Sequence, residues 1–239
     1  MSKTIEDTLD VLNDRVRKNV VIVDNTETPT SYMLHIGAER SPKYIPRIGH
    51  RQGNSEDRTV ARVTVSPYLA GCFIGYGSML SDFFHQNTLT GKNELQDWKG
   101  GFYINKLPFE KALVPNNKLV YDQSATAEHW LISYSEETRE YKSEMIGKVV
   151  FDSVTMTPVA NGSYEVAYSL FIEVKENLYF NPETLLEPGF YSVKLTHDQK
   201  STYKNTKSVI SPITMAMYKE RKAIVANNLS VNNAVYSKW

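Results

Sequence analysis

Apolar positions recur at helical spacing at the start of the chain and alternate with polar ones further on. Ile5, Leu9, Leu12 and Val16 fall on one face, with charged residues between them, which predicts a single amphipathic helix. Thr4 is placed to cap it, with Asp7 at the third helical position. The β-branched run from Val20 to Val23 predicts a strand. Asp24 to Thr30 is polar and contains proline, so the main domain is expected to begin near Ser31.

Tyr32 to Gly37 predicts a short strand that carries His35. Ala61 to Val65 predicts another, running straight into Ser66-Pro67 and an apolar stripe at Leu69, Cys72, Phe73, Tyr76, Leu80, Phe83 and Phe84. That pattern predicts a helix with Ser66 as N-cap and Pro67 as first helical residue. Gly71, Gly75 and Gly77 cost it about 1 kcal/mol each against alanine. They make sense where another backbone packs closely, or where the helix ends near Gly75.

From Gly101 to Leu195 the period is that of strands, at residues 102–104, 118–121, 130–134, 148–151, 164–174 and 190–195. Asn161-Gly162 between two such runs is a hairpin signal. Strands outnumber helices and no β-α-β alternation repeats, which argues against a doubly wound parallel fold. The expected class is α+β, with mainly antiparallel sheets forming a split two-sheet core and a few helices. After Thr196 the chain turns polar, from His197 to Ser208, and Ser211-Pro212 is expected to start a last helix ending near Asn227-Asn228. The expected division is an N-terminal helix and strand arm over residues 1–30, an α+β core over 31–198 and a helical arm over 199–239.

Composition narrows the function classes. The 239 residues carry 27 Lys and Arg against 27 Asp and Glu, so no global field draws a polyanion and non-specific nucleic-acid binding is not expected. The single cysteine, Cys72, rules out an intrachain disulfide framework and suits a reducing compartment. The first residues lack an apolar signal core, and no run of about 18 apolar residues appears, so no membrane span is expected. A cytoplasmic location follows as the expectation, the host cytoplasm for a phage-encoded chain. Fifteen tyrosines fit half-buried strand faces.

Several chemistries have no sequence support. There is no phosphate-binding G-x-x-x-x-G-K-[ST] loop, no G-x-S-x-G elbow and no zinc spacing among the scattered histidines. Cys72 lies on the apolar stripe and reads as a buried thiol. The basic loop is more informative. Arg40, Lys43, Arg47, His50, Arg51, Arg58 and Arg62 stand within 23 positions, against Glu39, Glu56 and Asp57. Such loops are commonly solvated faces with local ion pairs. Beside a helix start at Ser66, however, they suit an anion: arginine grips phosphate bidentately, and helix N–H groups add donors.

The order of elements then matters. A strand bears His35, a second leads through Ser66 and Tyr68 into a helix, and a later strand begins at Glu128, within Thr126-Ala127-Glu128-His129-Trp130. Over about residues 31–155 this resembles the ADP-ribosyltransferase-like fold, including its histidine–tyrosine–glutamate class and the RNA 2′-phosphotransferases. The resemblance implies a cleft for NAD between two small sheets. In it His35 would bond a ribose hydroxyl on the adenosine side, and Tyr68 would stack on nicotinamide. Glu128 would bind the nicotinamide ribose and stabilise oxocarbenium-like charge. Arg47, Arg51 or Arg62, with Ser66, would hold the pyrophosphate. In the phosphotransferase variant the arginines would hold an RNA phosphate. Position 126 is Thr, so there is no E-x-E, which argues against an arginine-modifying transferase.

The leading expectation is therefore an NAD-dependent ADP-ribosyltransferase acting on an unknown acceptor. A second expectation belongs to another class: a non-enzymatic bacteriophage-type binding, inhibitor or assembly protein, engaging a partner through residues 199–239. A third is a module that binds a nucleotide or NAD-like small molecule without turnover.

Overall fold

A computed structural model describes residues 4–38, 40–48, 57–76, 101–160, 162–198 and 205–236. Two antiparallel sheets dominate it. The four-stranded sheet has the order β1-β6-β7-β4, built from Val20–Asp24 (β1), Val63–Val65 (β4), Lys111–Pro115 (β6) and His129–Leu131 (β7). The six-stranded sheet runs β14-β13-β10-β9-β5-β2, from Tyr32–Gly37 (β2), Gly101–Pro108 (β5), Glu144–Val159 (β9), Ser163–Val174 (β10), Gly189–Asp198 (β13) and Lys207–Ile213 (β14). They meet at one antiparallel bridge between Leu34 and Ser66, with both backbone N–H groups donating across it at 2.8 and 3.0 Å. Two small ribbons complete the strands: Lys43–Tyr44 (β3) with Tyr141–Lys142 (β8), and Leu178–Asn181 (β11) with Leu186 and its neighbours in Thr184–Leu186 (β12). The expected mixed α+β class, mostly antiparallel, is what the chain adopts.

Period-two alternation explains how the six-stranded sheet is covered. Val149, Phe151, Leu170 and Ile172 turn to one face, where they bury Leu69 and Phe73 of the helix over residues 69–76 (α3). Phe151 meets Phe73 and Phe102 edge-on, with centroids 5.9 and 5.2 Å away. Val150 and Phe171 turn to the other face and pack on Tyr218 and Val225 of Met215–Tyr236 (α5). A second core gathers Ile5, Val16, Leu113 and Leu119 around the fully buried Trp130. The N-terminal segment thus contributes both an edge strand and core side chains to the four-stranded sheet. The hairpin of β9 and β10 turns through Gly162 at φ 68°, a left-handed conformation that glycine adopts without a Cβ penalty.

Several predicted boundaries move, each for a local reason. The first helix is two, Ile5–Asp10 (α1) and Asp14–Arg17 (α2). Thr4 and Asp7 form the predicted capping box, but Asn13 interrupts: its Oδ1 accepts from Val16 N at 3.0 Å and starts a new turn. Residues 118–121 are a turn, not a strand. Asn116 accepts from Lys118 N through its side chain and from Leu119 N and Val120 N through its carbonyl, while both apolar side chains are buried.

Ser66 remains in the sheet bridge, and the helix begins at Leu69 rather than at Pro67. The stripe residues Leu80, Phe83 and Phe84, and Gly77, lie outside the described residues. Ser211-Pro212 does not open a helix either. It continues β14, at a sheet edge where proline's missing donor is tolerated. Thr214 caps α5 instead, its Oγ1 accepting from Met217 N at 3.2 Å, and α5 runs past Asn228 to Tyr236.

Candidate active site

The junction of the two sheets builds a small cavity from three contacts. Ser66 Oγ donates to the Thr126 carbonyl at 2.9 Å and accepts from Tyr68 N at 3.2 Å. Gly71 makes this possible: a Cβ there would stand 2.1 Å from Thr126 O and 2.4 Å from Ser66 Oγ. The close backbone approach expected of the helix glycines is therefore real at Gly71. Gln123–Thr126 (α4) then ends on Ala127, a non-glycine residue in the left-handed region at φ 48° and ψ 42°. That turn delivers Glu128 to the same space. The cavity holds about 160 Å³ and is walled by His35, Ser66, Gly71, Cys72, Tyr76 and Glu128 among others.

Glu128 is 2% exposed, and its Oε1 accepts from the Trp130 indole N–H at 2.7 Å. Trp130 in turn carries the Arg62 guanidinium over its ring, 4.1 Å from the centroid. His35 points its Nδ1 at the Thr64 carbonyl, 2.8 Å away. A carbonyl only accepts, so Nδ1 carries the proton and Nε2 is left as an acceptor. Burial, reinforced by the nearby Arg47 charge, holds the imidazole below its usual range and keeps it neutral.

A wider cleft of about 780 Å³ adjoins this cavity and shares His35, Thr64 and Tyr76 with it. Its walls add Lys43, Tyr44, Arg47 and Arg62. The Tyr44 ring meets His35 edge-on at 4.5 Å between centroids. Burial pushes the Tyr44 phenol up to about 12, so it remains a donor at neutral pH.

The sequence-predicted residues separate into groups. His35, Ser66 and Glu128, which stand far apart in sequence, line one cavity. Arg47 and Arg62 line the adjoining cleft. Arg62, however, is 7% exposed and donates to the Asp57 and Val60 carbonyls, with Asp57 Oδ2 at 3.6 Å, so its fork is committed to the protein. Tyr68 is not on the wall of the cavity with His35 and Glu128; its backbone supports Ser66, and Tyr76 is the tyrosine on that wall. Arg51 and His50 lie outside the described residues.

Cys72 reaches the cavity but is inert. Burial pushes its thiol up to about 12, and Sγ lies 3.4 Å from the Leu34 carbonyl. Sequence reasoning placed Lys43 in the basic loop but missed Tyr44 and Trp130 as parts of the site. Tyr44 sits in a two-residue strand with no periodic signal, and Trp130 reads only as core. Among the described residues no group of His, Cys, Asp and Glu is placed to hold a metal ion. None of their helices is long and apolar enough to cross a membrane.

Comparison with protein-family models, curated proteins and solved structures found no match for this chain.

Proposed function

We propose that the two adjoining cavities bind NAD and that the protein transfers ADP-ribose from it to a nucleophilic acceptor. The observation that carries this reading is the meeting of His35 and Glu128 on one ring-sized cavity beside a wider basic cleft. An apolar cavity of about 150 Å³ accommodates benzene, so the inner space of about 160 Å³ suits a single ring such as nicotinamide. The outer cleft is within the size range of ligand pockets. It brings Arg47 for phosphates, with Lys43 beside it in an ion pair with Glu140, and the His35 Nε2 acceptor for a sugar hydroxyl.

NAD supplies a glycosidic carbon–nitrogen bond whose electron pair leaves with nicotinamide, while the acceptor forms the new bond and loses its proton. The protein's part is electrostatic. Glu128, fixed by Trp130, would bond a hydroxyl of the reacting ribose and oppose the positive charge that develops at its carbon. Tyr76 would offer an aromatic wall in place of the expected Tyr68.

Nicotinamide release from NAD, with and without candidate acceptors, tests the reading. Loss of release in Glu128→Gln supports it. Wild-type protein that neither binds nor consumes NAD overturns it.

A further inference from the structure

Asn105 is 0% exposed, and its Oδ1 has no hydrogen-bond partner. A buried orphan of this kind destabilises a fold unless something else requires the side chain. Asn105 lies directly across the β2–β5 ladder from His35, so the two side chains share a sheet face. Its Nδ2 donates to the Tyr44 hydroxyl at 3.1 Å and to the Tyr103 carbonyl at 3.3 Å. Those bonds fix the amide orientation, because the flipped form would set Oδ1 against the Tyr103 carbonyl and strand both N–H groups. The Tyr44 oxygen therefore receives a hydrogen bond from inside. Its own proton has no acceptor among the described residues, in a side chain that lines the wider cleft.

We infer that Tyr44, held by Asn105, is a specificity-determining donor of the cleft, and that with the His35 acceptor it selects a vicinal ribose diol. The 3′-hydroxyl of the cis-diol donates to His35 Nε2, and the 2′-hydroxyl accepts from the Tyr44 O–H. A deoxy sugar satisfies only one of the two groups and leaves the other unpaired, the arrangement that gives polar sites their strongest discrimination. Asn105 acts through Tyr44 and is a positioning residue. The inference rests on the reading of the cleft as a nucleotide site and does not require that NAD be turned over.

ADP and 2′-deoxy-ADP, titrated calorimetrically into the full chain, test it. Wild-type protein is expected to bind ADP about tenfold or more tightly than the deoxy analogue. Tyr44→Phe should weaken ADP to the deoxy level and leave 2′-deoxy-ADP unchanged. Asn105→Leu should melt at or above the wild-type temperature, because it removes the orphaned oxygen, yet lose affinity for ADP. Equal binding of the two nucleotides by wild-type protein, or no binding of ADP, overturns the inference, as does discrimination that survives in Tyr44→Phe. An Asn105→Leu protein that melts lower and keeps its ADP affinity would make Asn105 merely structural. Retained discrimination without nicotinamide release overturns the transferase alone. Release without discrimination overturns only the assignment of Tyr44 and Asn105.

Discussion

The Trp130 indole N–H holds Glu128 Oε1 at 2.7 Å inside a site where the carboxylate is 2% exposed. Core and site are therefore the same structure here. Trp130 anchors the cluster of Ile5, Val16 and Leu113, supports Arg62 on its face and orients the acid. Replacing it with Phe keeps an aromatic ring but removes the donor to a buried charge. Trp130→Phe is expected to lose about 2–4 kcal/mol of stability, measurable by denaturant unfolding. In the proposed reaction it should also slow nicotinamide release at saturating NAD by about tenfold or more.

The junction that presents Glu128 makes opposite predictions at neighbouring positions. Gly71→Ala would drive a methyl into the Thr126 carbonyl and Ser66 Oγ, at 2.1 and 2.4 Å. A loss of about 3 kcal/mol or more is expected, since the obstacle on one side is backbone. Ala127→Gly relieves a left-handed residue at φ 48°. It should raise stability by about 0.5–1 kcal/mol, the relief of Cβ strain less the added freedom of the unfolded chain. Thermal melts of the two variants should move in opposite directions.

How much of this was legible in the sequence varies by element. Tyr32–Gly37, the hairpin that turns at Gly162 and the mostly antiparallel class follow from alternation and turn chemistry. His35, Ser66 and Glu128 were legible as candidates because each stands at a strand end in a recognisable order. The failures share a cause, the competition of local polar groups with periodicity. Asn13 splits a helix, Asn116 turns buried Leu119 and Val120 into a loop, and Thr214 rather than Ser211 caps α5. Tyr44 and Asn105 were illegible because their importance lies in a contact across 61 residues, which no local window contains.

Stability should depend on acid through His197, which is 3% exposed in β13 and whose imidazole burial lowers to about 4. The unfolded chain binds that proton near 6.5. Between the two values the unfolded state holds more protons, so stability rises with pH across this window. It is fully present above about 6.5 and is lost as pH falls towards 4. Burial lowers His35 and His129 in the same direction. His197→Leu should reduce the slope of stability against pH in this window by about one proton. An unchanged slope would place the sensitivity elsewhere.

Glu128→Gln tests the central claim most directly, because glutamine keeps an oxygen to accept from Trp130 and replaces the other carboxyl oxygen with an amide nitrogen. Nicotinamide release from NAD should fall by about a hundredfold or more, with the melting temperature nearly unchanged. Release that continues at the wild-type rate in the folded variant contradicts the account.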